Sequence, residues 1–572
     1  MADLKYKAYL SVDIGSQHTR AWLFDALEGV YHCEASAVVK STLLGNDDVQ
    51  SGVWVAIEML QQKSHHQLLD HQSKLILESE TPQNGIQGVG ISISAGEPIK
   101  TVLIGLTDEA SLASIRRMAA MFYCEEVALI SLKNGLDVAR QLEMLIALDP
   151  DLVILAGGVD GGASVPILSA VEAIRLFYHL MPRINKPQIV YTGNSALLEQ
   201  VAQSLEAGTD LHLSSNIISE SGKENLEIPW VAMLEAFKNI RFSQIKGLQD
   251  LESKTKARIL PSAYAIGRMA KYIDLVTHNG KGVMAIDIGT ITTTIAASKT
   301  GKLVCSTVQA SINAESIEKT SKWCAVPIED EITSYYLQNK IIHPSYLPAT
   351  LEDLAIEQSW ACVRLRTSLE RTGELFPEFH FNGMDVDEVF YEPIIISGSV
   401  LNRAPTLGQA FLMVLDGIQP VGITTVLLDK EQALAALGTI GEMNALLPVQ
   451  ILDTDILLNL GTVICVHSTV PEGTLVVKVE LAHDDGPREV CEIRQGALKR
   501  FEMKPGTQVR LYLAPEMHTD VGMGERGLGG WVSVTAGELG VIIDARGRPI
   551  NLPDNTIKRS DLIKSWLWEL GG

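Results

Sequence analysis

Two short stretches of this chain place a carboxylate beside glycine and hydroxyl groups at the end of an apolar run. They are Asp13-Ile14-Gly15-Ser16-Gln17-His18-Thr19-Arg20 and Asp287-Ile288-Gly289-Thr290-Ile291-Thr292-Thr293-Thr294. Gly15 lets a ligand approach the backbone, Ser16 and Thr19 offer N–H and hydroxyl groups, and Arg20 reaches back toward an anion. Gly289 with Thr290, Thr292 and Thr293 repeats that chemistry. A lone Asp-x-Gly at a hairpin is ordinarily a turn. Two copies in the same strand context point to a repeated ligand-binding tip.

The elements that must position these tips are legible as patterns. Residues 8–12 and 20–24 flank the first tip as strands, and 283–286 with 294–297 flank the second, so each tip is predicted to be a tight hairpin. Between about 99 and 215, the runs TVLIGLT, VALISL, DLVILAGG and QIVYTG each precede a helical pattern. Four successive β-α units predict an inserted parallel sheet with helices on both faces. Helical patterns fill 229–273 and 314–371, after which EPIIISGSV restores a buried strand and EQALAALGTIGEM supplies a small-residue helix. Past Leu446, short strands separated by Gly and Pro turns predict a β-sandwich or barrel. The expected organisation is a first lobe at 1–97, an inserted domain at 98–217, a helical connection at 218–280, a second lobe at 281–447 and a C-terminal β domain at 448–572.

Composition narrows the ligand class. The chain has 572 residues, 47 Lys plus Arg against 69 Asp plus Glu, and a formal charge of −22. That balance disfavours nucleic acid, whose affinity rests on basic side chains neutralising phosphates. ATP stays compatible, because backbone N–H groups and a bound Mg²⁺ carry its charge. Seven cysteines without C-x-x-C spacing read as reduced thiols, and no signal-peptide or membrane-spanning run is found, so a cytoplasmic location is expected.

The paired tips resemble the actin/sugar-kinase/heat-shock-chaperone ATPase superfamily. The resemblance implies an α/β fold of two actin-like, ribonuclease-H-like halves, here with an inserted β-α parallel-sheet domain and a C-terminal all-β domain. It implies that Asp13 and Asp287 are the catalytic acids and place Mg²⁺. Gly15, Ser16, Thr19 and Arg20 would then hold phosphate on the first loop, and Gly289, Thr290, Thr292 and Thr293 on the second. Gly398 and Ser399, after the strand Ile394–Ile396, would lie beneath adenosine, and Ala435, Ala436 and Gly438 resemble a helix that closes between the lobes. DIGSQHTR, LAGGVDGG, LPSAYAIGRMAKYI and PVGITTVLLDKEQALAALG carry a narrower resemblance, across most of residues 8–445, to the MutL-type accessory proteins of adenosylcobalamin-dependent glutamate mutase. That family reads Asp-Val-Gly-Gly-Ala-Thr-Thr-Asp at the second loop, so Thr294 stands here in place of its second acid. Losing a carboxylate there weakens metal placement and hydrolysis more than binding.

The expected function is therefore an ATP- and ADP-binding, slow-ATPase chaperone or reactivating factor for a cobalamin mutase, in which nucleotide closes two lobes and changes partner affinity. A homo-oligomer is allowed, and nucleic acid and membrane insertion are not expected. A catalytically weak actin-like scaffold or filament protein is the alternative that Thr294 favours. A small-molecule kinase ranks last, because no carboxylate base stands out. The loop Leu155–Gly162 offers Asp160 for a partner or cofactor. His65, His66 and His71 match no standard metal spacing. Glu525, Arg526, Asp544 and Arg546 read first as turns with surface ion pairs. The motifs of serine hydrolases, zincins and P-loop enzymes are missing.

Overall fold

The computed structural model describes residues 8–43, 48–77, 84–181, 186–205, 209–219, 221–278, 280–379, 391–454, 456–482 and 489–572. Apart from the short segment Val30–His32, the chain divides into one compact unit that runs to Ser262 and a second that starts at Ala263.

In the first unit, the apolar runs Tyr9–Ile14 (β1) and His18–Leu27 (β2) pair antiparallel and bury Leu10, Val12, Ala21 and Leu23. Val30–Lys40 (β3) lies next to β2, while Gly88–Ile93 (β4) and then Arg258–Pro261 (β10) run parallel on the other side of β1. The sheet order is β3-β2-β1-β4-β10. Helix Val49–Ser64 (α1) covers β2, capped by the Asp48 side chain at the N–H of Gln50.

Between β4 and β10 the chain inserts a second, wholly parallel sheet. Its strands are Ile99–Gly105 (β5), Cys124–Ser131 (β6), Leu152–Leu155 (β7), Gln188–Tyr191 (β8) and Asp210–Leu213 (β9), in the order β6-β5-β7-β8-β9. This doubly wound order has its reversal between β5 and β7. Helices Ala113–Ala119 (α2), Val138–Leu148 (α3), Val165–Leu180 (α4) and Leu198–Leu205 (α5) alternate with the strands. The core joins Val102, Val153 and Ile189 to Leu145, Ile174 and Phe177. Where four β-α units were read, the sheet has a fifth strand, β9, which is short and only partly buried. Trp230–Gln244 (α6) packs on β8 and β9, and Leu248–Thr255 (α7) leads back to β10.

The second unit repeats the first sheet. Val283–Ile288 (β11) pairs antiparallel with Thr293–Lys299 (β12), which pairs with Lys302–Val308 (β13). Ile394–Ser397 (β14) and Gly422–Asp429 (β15) follow in parallel. The order β13-β12-β11-β14-β15 mirrors β3-β2-β1-β4-β10 strand for strand. Between β13 and β14 stand helices Ala314–Trp323 (α9), Asp330–Ile342 (α10) and Leu351–Leu375 (α11), the last capped by a Thr350–Asp353 capping box. Ser399–Asn402 (α12) and Leu407–Ile418 (α13) connect β14 to β15.

Ser262–Thr277 (α8) and Leu434–Ile440 (α14) close the two repeats, and Leu446–Leu452 (α15) follows. A β-carbon on Gly438 would lie 2.0 Å from the carbonyl oxygen of Ala265, so α14 meets α8 backbone to backbone at a position only glycine fits. Arg268 reinforces the contact by donating to the Gly438 carbonyl at 3.0 Å and pairing with Glu442 at 2.8 Å.

The C-terminal region is β-rich and continues the sheet of the second unit. Leu457–Cys465 (β16) pairs antiparallel with β15; Val541–Asp544 (β24) and Leu498–Phe501 (β20) then extend the same sheet to eight strands. Leu475–Ala482 (β18), Glu489–Arg494 (β19), Gln508–Pro515 (β21) and Gly530–Thr535 (β23) make a separate antiparallel sheet in the order β19-β18-β21-β23, and His467–Ser468 (β17) pairs with Thr519–Asp520 (β22). The chain ends in helix Thr556–Glu569 (α16), which packs on α13 and β20. Among the described residues, no helix is long and apolar enough to cross a membrane.

Candidate functional site

At the first tip, the register pairs Ile14 with Thr19 and Asp13 with Arg20 across the hairpin, and Asp13 with Ser92 on β4. The turn Gly15–His18 closes with the Gly15 N–H donating to the His18 carbonyl at 3.0 Å. Ser92 and Ser262 both donate their hydroxyls to Asp13 Oδ1, at 2.6 and 2.8 Å. That fixes the rotamer of the carboxylate and leaves Oδ2 without a protein hydrogen bond among the described residues. Arg20, directly across the ladder, makes no ion pair among the described residues. Ser16 and Gln17 are half-buried at the turn.

Thr19 has a different place from the one expected. It is fully buried, and its hydroxyl meets Ser41 Oγ at 3.0 Å, while Ser41 donates to the Gly15 carbonyl at 2.7 Å. Thr19 therefore braces the turn from beneath. The signal was available in the alternation of β2, where Thr19, Ala21 and Leu23 share one face.

The second tip repeats the strand register of the first. Ile288 pairs with Thr293, Asp287 with Thr294, and Asp287 with Ser397 on β14. Asp287, Gly289, Thr290 and Thr292 are half-buried at the tip. Thr293 takes the inward position of Thr19 and is fully buried, its hydroxyl without a hydrogen-bond partner among the described residues.

Sequence reasoning missed the group that holds this turn. Arg364, buried on α11, donates to the carbonyls of Gly289 and Thr292 at 2.9 and 2.7 Å. Burial lowers its guanidinium to about 10, opposed by Glu357 and Asp287, so it stays charged at neutral pH. Gly398 lies at φ +111, and a β-carbon there would sit 2.3 Å from the Ile288 carbonyl, so β14 ends pressed against the base of the hairpin. Ser399 follows, half-buried, at the start of α12. Asp429, also missed, accepts from Ser397 Oγ and from the N–H groups of Ala433 and Leu434. Burial raises its carboxyl to about 6 against those three donors.

The remaining sequence candidates resolve as bracing. Asp160 accepts from the Ser195 N–H at 2.7 Å and from Asn216 Nδ2 at 3.0 Å, tying the glycine-rich loop to the ends of β8 and β9. The Ser195 N–H bond, ahead of the Asn216 one, lowers its carboxyl. His66 is buried, with Nε2 at 2.7 Å from the Gly85 carbonyl, and no group of three metal-ligating side chains occurs among the described residues. Asp544 and Arg546 are not a surface turn: both are buried, bonded at 2.9 and 3.0 Å, with Arg546 also on Asp416 at 2.7 Å and Arg548 on Asp544 at 2.9 Å. Their guanidiniums saturate a carboxylate pair in the core, which makes burial of these charges tolerable.

Two ribonuclease-H-like halves, each offering an Asp-bearing hairpin from its first strand, define an actin-like ATPase fold. The chain belongs to the MutL protein family, whose model matches residues 9–456. No curated protein matches it. Among solved structures it is similar to a glycerol dehydratase reactivase at 11% identity, covering 77% of this chain and 100% of that one, with a TM-score of 0.32. A nucleotide-free diol dehydratase-reactivating factor matches at 11% identity over 76% of this chain and 99% of that one, with a TM-score of 0.30. Glycerol kinase of Plasmodium falciparum with ADP matches at 9% identity over 77% and 90%, with a TM-score of 0.30.

Proposed function

We propose that this chain binds ATP through the hairpins of Asp13 and Asp287 and acts as a reactivating chaperone for an adenosylcobalamin-dependent mutase, its affinity for that partner set by the nucleotide. The observation that carries the nucleotide reading is the repeated register. In two separate sheets, the same strand position bears an aspartate, with Gly two residues on opening a four-residue connection, and a serine beside the aspartate on the neighbouring parallel strand.

Phosphate would be held by the backbone N–H groups of Gly15, Ser16, Gly289 and Thr290 and by the hydroxyls of Ser16, Thr290 and Thr292. Arg20 adds a permanent charge. Gly398 and Ser399 would face the nucleoside. The donor set suits Mg²⁺ in one manner only. No cage of three carboxylates exists among the described residues, while Asp13 presents an oriented Oδ2 that takes no protein hydrogen bond among them. A hard cation that keeps several waters and binds through one or two carboxylates plus phosphate fits such tips. When bound, Mg²⁺ would neutralise phosphate charge. Thr294, across from Asp287, supplies no second carboxylate, so binding with slow turnover is the reading this chain supports.

Calorimetric titration of ATP·Mg²⁺ into the wild type, Asp13→Ala and Asp287→Ala tests the site. Each variant is expected to bind roughly 10- to 100-fold more weakly, the value of a charge-assisted contact. Undiminished binding in both variants would remove the nucleotide site. The chaperone reading is tested separately by measuring mutase affinity of the apo, ADP and ATP forms, where three equal affinities would refute nucleotide coupling.

A further inference from the structure

Helices α9, α10 and α11 build a small core of their own from Tyr336, Leu337, Ile356 and Trp360. On its outer side a cavity of about 390 Å³ opens, lined by Tyr335, Tyr336, Asn339, His343, Tyr346 and Asp353. The rings of Tyr336 and Tyr346 meet edge-on with centroids 5.9 Å apart. Each phenol is tied to a carboxylate: Tyr335 donates to Glu331 at 2.8 Å, Tyr336 to Glu357 at 2.8 Å, and Tyr346 to Asp353 at 3.4 Å. The Asp353 charge raises the Tyr346 phenol, and burial followed by Glu357 raises that of Tyr336.

The local charge is one-sided. From Glu329 to Asp353 the chain carries Glu329, Asp330, Glu331, Glu352 and Asp353 against one lysine, Lys340. Lys340 is already held by Glu357 at 2.9 Å and by the Tyr346 carbonyl. Around the cavity the surface turns apolar: Ile332, Ile342, Leu347 and Leu351 are 46, 69, 56 and 78% exposed. An apolar visitor alone would strip water from carboxylates without compensation, and an acidic one would be repelled. A cation among tyrosine rings gains from both ring and carboxylate. Arginine fits better than lysine, because its weakly hydrated planar fork stacks on rings while it donates to carboxylates.

We propose that this pocket seats an arginine side chain of a partner protein, whose neighbouring apolar residues rest on Ile342, Leu347 and Leu351. The proposal does not depend on nucleotide at the Asp13 and Asp287 hairpins.

Calorimetry of the full chain with acetyl-Leu-Ala-Arg-Ala-Leu-amide, with its twin carrying uncharged citrulline in place of arginine, and with acetyl-arginine-amide tests it. The arginine peptide is expected to bind saturably, the citrulline twin about tenfold more weakly, and acetyl-arginine-amide more weakly than the peptide because it leaves the apolar rim bare. Tyr335→Ala should weaken the arginine peptide about fivefold, and Tyr335→Phe, which keeps the ring, should bind within about twofold of wild type. Tyr335 is 58% exposed, so its removal leaves the small core standing. No saturation below about 1 mM, equal binding of the twin peptides, or unchanged binding by Tyr335→Ala would overturn the arginine pocket. Acetyl-arginine-amide binding as tightly as the peptide would overturn the protein segment as its occupant.

Discussion

Asp544→Ala is expected to lower the stability of the second unit by about 3–5 kcal/mol, the cost of removing one partner from a buried ion network. Asp544 accepts from Arg546 through both oxygens and from Arg548, and all three side chains are buried. Without it, Arg548 is left with uncharged partners, among them the carbonyls of Pro420 and Gly547, and Arg546 is left with Asp416 and the ring of Trp566, 4.6 Å away. Burial alone would raise the Asp544 carboxyl, but the charges of Arg546 and then Arg548 outweigh it and hold the group well below the usual carboxylate range. A depressed carboxylate contributes stability that is present above its unfolded value, about 3.9, and is lost as the pH falls through its folded value. Asp416 has the opposite sign, because burial raises it in spite of Arg546. Urea unfolding of wild type and Asp544→Asn from pH 6 to 3 separates the two: the variant should start lower and lose less in acid. A cost under about 1 kcal/mol, the scale of a solvated pair, would refute the buried network.

Arg364→Met should act at the second hairpin without touching its sequence. The substitution keeps most of the apolar stem but leaves the Gly289 and Thr292 carbonyls without their buried donor, each worth about 1–3 kcal/mol. On the proposed reading, ATP·Mg²⁺ affinity falls about tenfold or more, since the turn that presents the Gly289 and Thr290 N–H groups loses its clamp. Both bonds come from the single Nη2; Arg364→Lys keeps the charge but on a side chain of shorter reach, so its affinity should fall between those of wild type and Arg364→Met. A folded Arg364→Met chain with wild-type ATP affinity would show that the clamp serves the fold alone.

Much of this architecture could be read from residue patterns, and the exceptions share a cause. Strands β5, β7 and β8 show as unbroken apolar runs because parallel strands are covered on both faces. β9, Asp-Leu-His-Leu at the edge, carries no such run and was missed. The hairpins announced themselves through Asp-Ile-Gly after a buried strand. Their supports did not: Arg364 sits in a helix whose charges look solvent-facing, and its target is a pair of backbone carbonyls 75 and 72 positions away. Ile542–Pro549 read as a surface turn because charged side chains are seldom buried unless paired, and the partner Asp416 lies 130 residues from Arg546. The strand character of the C-terminal region was evident, but which sheet each strand joins depends on long-range register that local composition does not encode.

The continuation of the second sheet beyond β15 has a consequence for the way this family is bounded. The match to the MutL family ends at residue 456, immediately before β16 begins at Leu457. A polypeptide cut at that point would expose the ladder groups of Gly422–Asp429 that β16 now occupies. It would also strip β16 from beside Val426 and Leu428, which are buried at present. An unguarded edge of that kind recruits strands from other molecules. The residues outside the matched region therefore act as a seal over the edge of β15.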